Sequence, residues 1–146
     1  MRPNEMPGLN GRREVCMKPI TITDGNFKRE APDSDRPAML NLGNGEDLTQ
    51  LAEENEVLIL EFGSEACPPC GALRGRIDTW LIHHPGVAGR YVSIERYVEQ
   101  SAQFGVLSTP TVLAYVKGSL VVSARGYFSL DLALERLERA MRIAFD

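Results

Sequence analysis

Nothing in the 146 residues approaches the ~18 consecutive apolar residues that a membrane-spanning helix needs. The first sixteen, MRPNEMPGLNGRREVC, carry charge but no apolar core segment, so they do not read as a secretory signal. The default address is therefore the cytoplasm. Cysteine is scarce and odd in number: Cys16, Cys67 and Cys70 cannot make a framework of paired structural disulfides. No surplus of positive charge exists either. Lys and Arg total 16 against 20 Asp and Glu, a net charge of −4. Seven basic and six acidic side chains lie up to residue 38, and nine and fourteen after it, so no basic segment hides behind the average. Nucleic acid and anionic membranes are thus not expected as partners. Hydrophobic residues at 43% and charged residues at 25% are ordinary for a folded chain. The length predicts one domain, large enough to bury a core without staples.

Residues 1–38 read as an N-terminal extension, partly flexible. Prolines 3, 7, 19, 32 and 37 and glycines 8, 11 and 25 interrupt it, and no helical period persists. One island, Ile20 to Thr23 followed by Asp24-Gly25-Asn26, has a strand-then-turn pattern. From 39 to 146 the pattern is regular. Met39 to Leu42 is a short strand candidate, and Asn44-Gly45 opens a helix with Leu48, Leu51 and Ala52 on one face. Val57 to Phe62 is an apolar run that fits a strand buried on both faces. A helix starts at Pro68, carries Leu73, Ile77, Trp80 and Leu81 as its stripe, and stops at Pro85. A strand over Val87–Ile94, a short helix near 96–104 and a hairpin across Lys117-Gly118 follow. A last amphipathic helix is capped by Ser129. The order β-α-β-α-β-α-β-β-α predicts an α/β fold. Its mixed central sheet should be parallel in the first half, closed by an antiparallel hairpin, and flanked by helices on both faces.

Chemistry concentrates in Phe62-Gly-Ser-Glu-Ala-Cys67-Pro-Pro-Cys70, where the buried strand gives way to a helix. Two cysteines at i and i+3 on a first helical turn can bring their sulfurs into bonding range. Cys67 sits at the N-cap, where the helix dipole and free N–H groups favour a thiolate. A thiolate attacks disulfides, and a second thiol can resolve the mixed disulfide that forms. Two other readings stand beside this one. Half of a zinc site would need Cys16 and the His83-His84 pair to complete four ligands, and the histidines fall at the far end of the helix. An inert CxxC is the other. Glu61 is an acid inside an apolar run. If buried, its pKa rises; if it lies on an exposed edge, it simply points at water.

At this point the chain resembles the thioredoxin family over residues 39–146. Cys67-Pro68-Pro69-Cys70 looks like the family's CxxC. Glu61, six residues earlier, stands where the family keeps a buried Asp, and the segment Phe104 to Thr111 looks like the one ending in the family's cis-proline. Gly118 and Gly126 also fall where the family has glycine. The departures are specific. Ala66 and Gly63 replace two tryptophans, Tyr91 replaces a lysine that flanks the buried acid, and Gly75 replaces a helix-kinking proline. The Pro68-Pro69 pair is similar to nucleoredoxin-like and tryparedoxin-like relatives rather than to housekeeping thioredoxins.

The resemblance implies a thioredoxin-like fold and a thiol–disulfide oxidoreductase that reduces protein disulfides. Cys67 would attack, Cys70 would resolve, and Glu61 would accept the proton from Cys70. Thr109, a cis Pro110, Ala66 and Gly126 would form the substrate-binding surface. Pro68 and Pro69 lack N–H groups, so Cys67 should be less acidified than in strongly oxidising relatives. No cofactor and no metal is implied. The partners would be disulfide-containing proteins and a thioredoxin reductase or small thiol, acting on a monomer. Two rivals follow from the same residues: a binding module with an idle dithiol, and an oxidase or isomerase of an oxidising compartment.

Overall fold

The structure is a computed structural model, and it describes residues 38–146. The island at 20–23, Cys16 and the rest of the extension up to residue 37 lie outside the described residues. Nine elements follow one another: β1 (Leu40–Asn41), α1 (Leu48–Glu54), β2 (Val57–Gly63), α2 (Pro68–Ile82), β3 (Ala88–Ser93), α3 (Val98–Gln103), β4 (Thr111–Val116), β5 (Ser119–Arg125) and α4 (Leu130–Phe145). This is the order read from the sequence. The strands form one sheet in the spatial order β1-β3-β2-β4-β5. β1, β3 and β2 run parallel, while β2–β4 and β4–β5 are antiparallel.

The central strand explains the arrangement. Every residue of β2 is buried, because it has a strand on each side and helices above and below. Its alternate side chains serve two cores. Val57 and Ile59 pack with Ile77 and Leu81 of α2 and with Leu130, Leu134 and Leu137 of α4. Leu58, Leu60 and Phe62 pack with Leu48, Leu51 and Ala52 of α1 and with Val92 and Val106. Glu61 is in phase with Val57 and Ile59, so period-2 alternation places it on the face covered by α2 and α4.

Local chemistry sets the element ends. The Asp47 carboxylate accepts from the backbone N–H groups of Thr49 and Gln50 at 2.8 and 3.2 Å and starts α1. The helix therefore begins after Asp47 rather than at the Asn44-Gly45 turn expected from the sequence. Ser129 caps α4 as expected, its hydroxyl accepting from Leu132 N–H at 3.2 Å. The hairpin turns at Lys117 (φ 52) and Gly118 (φ 81), the positive-φ pair that a tight two-residue turn demands. β5 then runs through Arg125, three residues beyond the apolar stretch that marked it in the sequence. Its burial is intermittent, as befits the sheet edge, and this is why the apolar pattern cut it short. Ala38 packs against the core and Met39 is fully buried, its N–H donating to Asp78 at 2.7 Å. The folded unit thus takes in Ala38, which the sequence had assigned to the extension.

Candidate active site

β2 delivers the chain to the end of the sheet at Gly63. The turn that follows is closed by Cys67 N–H donating to Ser64 C=O at 3.2 Å. Cys67 is then the N-cap of α2, with extended backbone (φ −119°, ψ 91°), and prolines fill the first two helical positions. Proline suits them because its fixed φ is already helical and its missing N–H would find no partner there. Cys70 N–H donates to Cys67 C=O at 3.1 Å, closing the first turn. Cys67 and Cys70 are joined as a disulfide, with Cα atoms 5.4 Å apart. The pair is asymmetric: Cys67 is half-buried, whereas Cys70, in the first turn of the helix, is 1% exposed.

Three sequence-selected residues converge on the neighbouring strand ends. Phe62 of β2 is in register with Thr111 of β4, and Thr111 with Arg125 of β5. Pro110 therefore lies beside the end of β2 from which the Cys67 loop departs, and Gly126 one strand further out. The Thr109–Pro110 peptide is cis, Pro110 is buried and Thr109 half-buried. Gly126 (φ 68) donates its N–H to Pro110 C=O at 3.1 Å, which ties the two candidate residues together. Ala66, Pro68 and Pro69 are exposed. Two residues that sequence reasoning passed over lie on the segments carrying Pro110 and Gly126: Leu107 is 84% exposed and Tyr127 wholly so. Their apolar character was visible, but pattern alone assigned them to no face.

Glu61 is fully buried, which removes the edge-exposed alternative. Neither carboxyl oxygen has a hydrogen-bond partner. Burial pushes its pKa up to about 8, against a smaller opposing pull from the Arg74 guanidinium. Arg74 is a third residue that sequence reasoning missed. It stands four positions after Cys70 on α2, a spacing that places both on one helix face. Its guanidinium lies 4.5 Å from the ring centroid of Tyr91, the β3 residue in register with Glu61.

Among the described residues, no three His, Cys, Asp or Glu side chains gather in a set that could hold a metal ion. His83 and His84 bond back to Thr79 and Trp80 at the far end of α2. No described helix is long and apolar enough to cross a membrane.

A disulfide set at a helix N-cap, on a mixed sheet beside a cis-proline, defines the class of fold: it is thioredoxin-like and carries a CPPC motif. No protein-family model matches the chain. Among curated proteins it is similar to thioredoxin-2 of Pyricularia oryzae, 24% identical over 81 residues, a match covering 56% of this chain and 47% of that one. It is similar as well to the probable thioredoxin-2 of Caenorhabditis elegans, 24% identical over 117 residues, covering 79% and 80%. The match thus spans about half the length of the first relative and four-fifths of the second. Among solved structures, spinach chloroplast thioredoxin f superposes with a TM-score of 0.62 at 16% identity, covering 72% of this chain and 96% of that one. Oxidised thioredoxin of Plasmodium falciparum gives 0.59 at 22% identity, covering 71% and 97%. At these identities the structural likeness establishes the fold.

Proposed function

We propose that the chain is a thiol–disulfide oxidoreductase working as a protein-disulfide reductase. The observation that carries this reading is the asymmetric Cys67–Cys70 pair, the first half-buried at a helix N-cap and the second buried one turn in. In the reduced protein, the Cys67 thiolate attacks a substrate disulfide. A Cys67–substrate bond forms and the first substrate sulfur leaves as a thiolate. Cys70 gives its proton to Glu61 and attacks Cys67. The mixed disulfide breaks, the second substrate thiolate leaves, and two electrons have passed from the protein dithiol to the substrate. Glu61 suits the proton step because its pKa of about 8 lies within reach of an ordinary thiol's. An external reductant, a thioredoxin reductase or small thiol, restores the pair.

The substrate would lie along Thr109 and Pro110, where proline leaves no N–H to compete with its extended backbone. Ala66, Gly126, Leu107 and Tyr127 would supply apolar contact. Pro68 and Pro69 favour a reductant over an oxidase, since they withhold two N–H groups that would stabilise the Cys67 thiolate. A strong oxidant owes its potential to that stabilisation. A cytoplasmic monomer is the setting we propose.

The test is reduction of insulin disulfides with dithiothreitol as donor, wild type against Cys67→Ser. Catalysis by the wild type, abolished in the variant, is the expected result. Equal rates would mean an idle dithiol, and the binding-module reading would replace this one.

A further inference from the structure

The buried acid raises a physical question. A carboxylate sealed in an apolar strand with no hydrogen bond to either oxygen should stay protonated, and a protonated acid cannot take a proton from Cys70. Something must make the charged form accessible. Among the described residues, the groups on the elements packed around Glu61 are few. β4 presents Val112, and the α4 side chains buried over this sheet face are Leu130, Leu134 and Leu137. β3 presents Tyr91, and α2, packed on the same sheet face, carries Arg74 and the buried Cys70. Among the described residues, Arg74 is the cation whose charge pulls against the burial of Glu61. It is partly buried and held at two points: its guanidinium lies over the Tyr91 ring at 4.5 Å, and Nη2 donates to the Met39 carbonyl at 3.3 Å. The Tyr91 ring runs alongside β2, its hydroxyl filling the space where Gly63 has no side chain.

We propose that Arg74 is a positioning residue for the proton step: braced on Tyr91 and Met39, its guanidinium is the counter-charge that lets Glu61 ionise. This rests on the reading of Glu61 as the proton acceptor, but the arrangement is separable from it. In the step itself the Cys70 S–H bond breaks and a Glu61 O–H bond forms, so the negative charge moves from carboxylate to sulfur. The proton then leaves to water when Glu61 ionises again. Arg74 takes no proton. A cation resting on an aromatic face keeps its charge while giving up part of its hydration, which suits this partly buried place.

The experiment follows the Glu61 carboxyl directly, by carbon-13 NMR titration of the full chain labelled at glutamate, with Glu61→Gln assigning the resonance. The pH–rate curve for mixed-disulfide resolution is measured in parallel. Arg74→Gln should raise the Glu61 midpoint by about one pH unit, as expected for loss of a nearby opposite charge. Arg74→Lys should restore most of it. Tyr91→Phe keeps the ring and should leave the midpoint near the wild-type value, while Tyr91→Ala removes the brace and should move it as Arg74→Gln does. An unmoved midpoint in Arg74→Gln, or an equal shift in Arg74→Lys, overturns the proposal. A shifted midpoint with an unshifted rate curve supports Arg74 as counter-charge and overturns Glu61 as the acceptor. A purely structural role would lower the melting temperature and leave both curves in place.

Discussion

The hydroxyl of Tyr91 occupies the space that a Cβ on Gly63 would need, so the last residue of β2 and the middle of β3 fit only because one of them has no side chain. Gly63 is the position where a tryptophan was expected from the family, and Tyr91 the position of a lysine. The two departures therefore read as one exchange: bulk removed from the strand end is returned from the neighbouring strand. Gly63→Ala should cost ~1–3 kcal/mol, the usual range for overpacking. Tyr91 must swing away, and its contact with Arg74 goes with it. In a Tyr91→Ala background the same substitution should cost close to nothing, because the colliding atoms are gone. Urea unfolding of the four proteins gives the coupling. Additive costs would separate the two residues.

The asymmetry of the cysteines gives a second prediction. In the reduced protein, iodoacetamide should label Cys67 well before Cys70, since the first is half-buried at the N-cap and the second 1% exposed. Cys70→Ser should accumulate a mixed disulfide with substrate, whereas Cys67→Ser should not. Mass mapping after brief alkylation reads the first, and non-reducing electrophoresis the second. Preferential labelling of Cys70 would exchange their roles.

Most of the frame was legible because it rests on period and punctuation. Val57 to Phe62 announced a central strand by having no polar alternation, with Glu61 as its one exception. Ser129 and the Lys117-Gly118 turn were readable because capping and positive φ demand particular residues. The site was legible where covalent spacing carries it, at Cys67 and Cys70. It was not legible where chemistry depends on which side chains meet across the sheet. Nothing local to Arg74 says that it rests on Tyr91, 17 positions away on β3. The burial of Glu61 was an open alternative because one acid in an apolar run fits a core strand and an edge strand alike. Strand order, which no local signal encodes, decides between them.

Glu61→Gln should slow resolution of the mixed disulfide by ~10²-fold or more, the lower end of what a general base contributes. Attack by Cys67 should be nearly unchanged, because that step precedes any demand on Cys70. Stopped-flow reduction of a disulfide substrate between pH 5 and 9 separates the two phases. Coincident pH–rate curves for the two proteins would leave solvent as the acceptor.

The same carboxyl should leave a mark on stability. Its pKa is about 8 in the folded protein against 4.5 for the free group, so between these values the folded state holds a proton that the unfolded state has released. Stability must then fall as pH rises, by ~1.4 kcal/mol per pH unit for one proton, and level off above pH 8. Below pH 4.5 this contribution is complete; through pH 8 it is lost. The window is favourable because, among the described residues, the other shifted groups titrate outside it. Burial works to raise the pKa of Glu46, but the Arg90 hydrogen bond and charge and the Gly43 N–H lower it overall, so that carboxyl acts only in acid. Burial raises Tyr91 and Tyr115 above their ordinary value of 10.0, so they act only in alkali. Glu61→Gln removes the slope. A buried amide is also a polar group in need of partners, so the absolute stabilities of the two proteins need not coincide at any pH, and the slope is the quantity to compare. Urea unfolding at half-unit steps from pH 5 to 8.5 should show the wild type declining steadily relative to the variant. Parallel curves across that range would mean that Glu61 ionises in the folded protein as freely as in water.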